Sequence, residues 1–67
     1  MTDTREYYCK DKKTAKEICL IAELNGLKAY INGHGHIVKI EKEIKGLTYK
    51  QFSDYINCIM AIEEYIS

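Results

Sequence analysis

Two histidines, His34 and His36, and three cysteines, Cys9, Cys19 and Cys58, are the side chains of this sequence best suited to chemistry. Two histidines spaced two apart on a strand share one face, where they can hold a metal or move protons near neutral pH. A structural zinc site needs four ligands, and nothing else here stands at metal-ligand spacing. His34 and His36 therefore read as solvated residues of a glycine turn, with no metal and no cofactor. The cysteines are odd in number and far apart, which is not a disulfide framework. Cys19 and Cys58 lie in the apolar runs Ile18-Cys19-Leu20-Ile21-Ala22 and Cys58-Ile59-Met60-Ala61-Ile62 and read as small buried hydrophobes. Cys9 alone stands near cations, and a nucleophilic thiolate also needs a base. No Gly-x-Ser-x-Gly, phosphate loop, dinucleotide fingerprint or paired carboxylates occur. The expectation is a protein that is not an enzyme.

The elements that would position these residues fit one small domain over 1–67, since 67 residues leave no room for a second core. The apolar fraction of 46% is enough for a core, and 30% charged residues do not suggest disorder. Residues 4–10 alternate as a short strand, with Arg5, Tyr7 and Cys9 on one face. Thr14 as N-cap with Glu17 three residues on predicts a helix over 15–25, stopped at Gly26. Leu27, Ala29 and Ile31 alternate inward on a second strand. Asn32-Gly33-His34-Gly35 is a hairpin turn, and Val38 and Ile40 point inward on the return. Thr48 and Gln51 form a second capping box, with Leu47 and Phe52 as its hydrophobic staple. Phe52, Tyr55, Ile56, Ile59, Ile62 and Ile66 line one stripe of the helix that follows. The order β-α-β-β-α predicts an α+β two-layer sandwich: a three-stranded sheet with both helices on one face.

Such a sheet leaves its other face and two edges open. Tyr8, Tyr30, Lys28, Lys39 and Glu41 would decorate that face, and tyrosine is common at binding sites. On the first helix Leu20 and Leu24 fall among Lys16, Glu17 and Glu23, away from the apolar stripe, so they can dock on something outside the chain. The candidate partner-binding residues are thus Leu20, Leu24, Tyr8, Tyr30, Lys28 and Lys39. Self-association through the leucines or an open strand edge would accompany them, giving a homodimer.

Ten basic and ten acidic residues balance to zero, which argues against a general nucleic-acid binder. A positive lean remains over Arg5, Lys10, Lys12, Lys13 and Lys16. No apolar run reaches the length of a membrane span, and the polar N-terminus lacks a signal-peptide pattern, so a cytoplasmic protein is expected. Residues with AT-rich codons (Lys, Ile, Tyr, Asn) suggest a low-GC bacterium or its phage as the source.

The run from the first helix through Asn25-Gly26, a strand, a glycine-histidine turn and a further strand resembles the HicA-type toxin ribonucleases over about 25 residues. The resemblance implies His34 or His36 as the catalytic histidine. It departs where that family has Gly-Ser-His, since here Gly33 is followed by His34 and Gly35. The residues themselves favour a small non-catalytic protein-binding module. By analogy of size class, this would be a phage inhibitor of a host enzyme or defence system, of the anti-CRISPR kind. The alternatives are an RNA- or DNA-binding protein, or a ribonuclease using one of the histidines.

Overall fold

A computed structural model describes residues 1–32 and 35–67. The elements follow the expected order: β1 (Thr2–Tyr8), α1 (Lys12–Leu24), β2 (Lys28–Asn32), β3 (Ile37–Glu43) and α2 (Tyr49–Ile66). They form a small α+β fold with one antiparallel sheet ordered β1-β3-β2. Because β1 and β2 each run antiparallel to β3, they run parallel to one another with β3 between them. α1 is thus the crossover of a split β-α-β unit, and β3 fills the gap it leaves.

The register sets which residues share a face. Asp3, Arg5 and Tyr7 of β1 stand opposite Lys42, Ile40 and Val38 of β3, on the helix side. Ala29 and Ile31 of β2 face the same way, opposite Ile40 and Val38. The core forms where this face meets the helices. Val38 and Ile40 lie at its centre, with Leu27 and Cys9 at its ends. Ala15, Ile18, Cys19 and Ala22 cover it from α1, and Tyr55, Ile59 and Ile62 from α2. Four of these α1 and α2 residues, Ala15, Ile18, Ala22 and Ile62, are fully enclosed.

Several local expectations change. β1 begins at Thr2, and β3 runs on to Glu43, where a polar exit loop was expected. Lys42 and Glu43 stay in the sheet because Asp3 and Thr2 pair with them, and the ladder outweighs their weak strand propensity. Helix α1 starts one turn earlier than Thr14 suggests. Asp11 is the N-cap, in extended backbone, and its carboxylate accepts from the Thr14 amide at 2.8 Å. An ionised carboxylate facing helix N–H groups is the stronger cap. That bond also holds the Asp11 carboxyl below its ordinary range. Asp11→Ala should therefore destabilise the fold through loss of the cap, and Thr14→Ala should do so clearly less. Urea unfolding of both variants checks this, and the reverse ranking would return the cap to Thr14.

The second capping box forms as expected, with Gln51 N donating to Thr48 Oγ1 at 3.1 Å and Thr48 N donating to Gln51 Oε1 at 2.9 Å. Phe52 was expected within the buried stripe, yet it is exposed and only tilts against the Tyr55 ring at 6.3 Å. It lies on the flank of the stripe, with Met60 a further two turns along. Ile31 faces inward by register but stays 40% exposed. The reason is its place on an edge strand, where no further strand covers its outer side. The turn expected at 32–35 falls partly outside the described residues, at Gly33 and His34. Within the described part, Gly35 takes φ +87°, a conformation only glycine adopts freely. The Lys12 side chain packs directly against it.

Candidate functional site

The open sheet face is built from the outward residues of all three strands. Reading across β1, β3 and β2, Tyr8 stands opposite Ile37, and Ile37 opposite Asn32. In the next row Glu6 faces Lys39, and Lys39 faces Tyr30. Below it Thr4 faces Glu41, and Glu41 faces Lys28. Tyr8 is 72% exposed and Tyr30 47%. The tyrosines therefore flank β3 diagonally, two strand spacings across and two residues along, or about 12 Å apart. Ile37 lies between them, an apolar residue of this face that its position beside a turn had concealed.

Both lysines of the face stand opposite an acid. Lys39 also reaches Glu41 on its own strand at 3.7 Å. The outward charges are Lys28 and Lys39 against Glu6, Glu41 and Glu43, and the Met1 ammonium pairs with Glu43 at 2.8 Å, so the face is charge-balanced. Such a surface offers aromatic and apolar contact with paired polar groups around it, and no basic track for phosphates.

The structure thus brings Tyr8, Tyr30, Lys28 and Lys39 onto one face and separates them from Leu20 and Leu24. The leucines are 59% and 77% exposed on the outer side of α1, in the helix layer behind the sheet. The two sets lie on opposite layers of the fold.

A polar seam that sequence reasoning missed runs between β1 and α2. Tyr55 donates its hydroxyl hydrogen bond to Asp3 Oδ2 at 2.5 Å, and Arg5 Nε donates to the same oxygen at 3.0 Å. Tyr7 donates to Glu63 at 3.0 Å. The Tyr55 bond, and then the Arg5 bond, hold the Asp3 carboxyl below its ordinary value. Burial pushes the Tyr7 hydroxyl up to about 12, with the Glu63 bond adding to it. Burial also raises Tyr55, again helped by its acceptor. The signal was present in the alternation of Asp3, Arg5 and Tyr7 on one face of β1. These charged residues end up under a helix because β1 is an edge strand, where long side chains still reach solvent. Farther round, Tyr65 donates to Glu17 and ties the end of α2 to α1.

Of the described groups considered for catalysis, Cys9 and His36 are neighbours, the Cys9 amide donating to the His36 carbonyl at 2.7 Å, with the Cys9 thiol buried in the core. Burial raises the thiols of Cys9, Cys19 and Cys58, which favours the unreactive protonated form. His36 is exposed, and His34 lies outside the described residues. Among the described residues no group of three or more His, Cys, Asp and Glu side chains is placed to hold a metal ion. A depression of about 200 Å³ opens beside the start of α2, lined by Asn25, Leu27, Lys42, Gln51, Asp54 and Tyr55. Its lining brings no nucleophile beside a base. No helix among the described residues is long and apolar enough to cross a membrane. No family model matches the chain, and neither a curated protein nor a solved structure is significantly similar to it.

Proposed function

We propose that this chain is a non-catalytic protein-binding module whose open sheet face is the docking surface. The observation that carries this reading is the gathering of Tyr8, Tyr30 and Ile37 on one charge-balanced face. Exposed tyrosines with an apolar residue between them, ringed by paired charges, match the core and rim of a protein interface. The partner class is a host enzyme or defence complex, with this chain as a phage-encoded inhibitor of the anti-CRISPR kind. The raised thiols support binding over nucleophilic chemistry.

Affinity capture with the purified chain tests this. A defined protein should be retained by the wild type and by Leu20→Ala/Leu24→Ala, and lost with Tyr8→Ser/Tyr30→Ser. Both positions are solvent-facing, so the latter variant should keep the fold. Capture that depends on the leucines and not the tyrosines would move the interface to α1.

One observation favours a second reading, nucleic-acid binding. Lys10, Lys12 and Lys13 are exposed at the end of the molecule where Lys12 packs on Gly35 and the Cys9 amide donates to the His36 carbonyl at 2.7 Å. Lysines and a histidine therefore share that end. Arg5, part of the same basic stretch of sequence, is tied to Asp3 and is not free to join them. RNA or DNA binding there would weaken steeply with salt. A binding curve flat from low to physiological salt would exclude it.

A further inference from the structure

The sheet has two outer edges, and they differ in kind. β1 carries Asp3 and Arg5 on its helix side, bonded to each other and, through Asp3, to Tyr55. Inward charges on an edge strand are a common means of preventing another strand from adding there. β2 has no such guard. Its helix-side residues are Ala29 and Ile31, and Ile31 remains 40% exposed in a position whose pattern is that of a core residue. Its outer edge has no partner strand among the described residues, which leaves a row of backbone donors and acceptors for another chain.

The sequence of β2 complements itself. A two-fold axis normal to the sheet keeps helices on one side only when residues of like face stand opposite each other. Of the antiparallel registers this allows, the one centred on Tyr30 pairs all five residues of β2. It sets Ile31 against Ala29 of the second copy, a large side chain over a small one, twice. It sets Lys28 against Asn32 of the second copy, so no like charges meet. The helix above this edge agrees. α1 turns Glu17 toward Tyr65 of α2, so Lys12, Lys16 and Glu23 project from its other flank, all exposed. The same two-fold runs the two copies of α1 antiparallel. The basic first half of each then faces the acidic Glu23 of the other.

We propose that β2 is the site at which a second copy of this chain adds, making a continuous six-stranded antiparallel sheet with Tyr30 on the two-fold axis. The two Tyr30 side chains then stand side by side at the centre of a doubled open face. The proposal stands whether or not that face binds a partner.

The test uses the full chain in sedimentation equilibrium up to about 1 mM, the weakest association worth seeking. The wild type should reach twice the mass of one chain. Ile31→Lys, at an already exposed position, should fold normally and weaken dimerisation by about tenfold or more, since an inward lysine blocks an edge. Leu20→Ala/Leu24→Ala should dimerise like the wild type. Tyr30→Cys should form a disulfide between two chains on mild oxidation, because opposite residues hold their Cβ atoms about 5 Å apart. Tyr8→Cys should not. A wild type that stays monomeric, or a dimer indifferent to Ile31→Lys, overturns the proposal. A dimer lost with the leucines, or no cross-link at position 30, overturns it equally, the first by pointing to α1 and the second by excluding the register.

Discussion

An Ile18→Ala chain should be close to unfolding in plain buffer. Ile18 is fully enclosed on α1, packed within the single cluster that joins both helices to β3. Removing its outer carbons forfeits their transfer free energy and leaves a cavity, together about 2–5 kcal/mol. At about 0.05–0.15 kcal/mol per residue, 67 residues hold only about 3–10 kcal/mol in total. The substitution therefore removes a large share of the stability. Thermal unfolding followed by circular dichroism should show the midpoint fall by about 10 °C or more. Leu20→Ala, two residues along and on the solvent side of the helix, should change stability by no more than about 0.5 kcal/mol. Equal effects at the two positions would mean that α1 is docked by a different face.

The second large effect is acid lability centred on Asp3. Its carboxyl titrates below its ordinary 3.8 because Tyr55 and Arg5 bond to the ionised form. With the folded value lowered, the unfolded chain takes up its proton first as pH falls. The stabilisation is therefore complete above about pH 4 and is lost as pH falls through the folded value. Asp11 and Glu43 are lowered too and share this sign, Asp11 through the Thr14 amide and Glu43 through the chain's N-terminus. Asp3→Asn isolates the Asp3 share. Its stability deficit against the wild type should be constant near neutral pH and shrink below pH 4. A deficit that persists unchanged into acid would show that the charge of Asp3 is irrelevant. Asp3→Ala should cost more at neutral pH, about 1–3 kcal/mol, because it leaves the buried Tyr55 hydroxyl without an acceptor and Arg5 without a partner. At the alkaline end the sign reverses. Tyr7 is raised to about 12 and Tyr55 is raised as well, so their contribution is whole below about pH 10 and fades as pH climbs through the folded values.

Local signals made much of this molecule legible. Thr48 and Gln51 announce the start of α2 because a capping box satisfies backbone groups with side chains only three residues away. The alternation of Leu27 and Ala29, and of Val38 and Ile40, identifies the buried sheet face because a strand's side-chain period is two. Lys28, Tyr30 and Lys39 follow onto the opposite face by the same rule, and Tyr8 joins them from β1. These features need no knowledge of what lies across the chain.

Pairing between distant segments decided the rest. Strand order is one such case: nothing in β1 or β2 says that β3 will lie between them, and that placement makes both of them edges. Lys42 and Glu43 read as loop until Asp3 and Thr2 pair with them. Asp3, Arg5 and Tyr55 are 52 residues apart at their widest, yet they meet on one carboxylate oxygen. Ile31 and Phe52 have core patterns, and they stay exposed because each stands at the margin of its layer. Periodicity reports which way a side chain points. Whether anything lies there to cover it is set by how the segments pack, and so the sheet's two faces were readable from sequence, while its guarded and unguarded edges emerged only on folding.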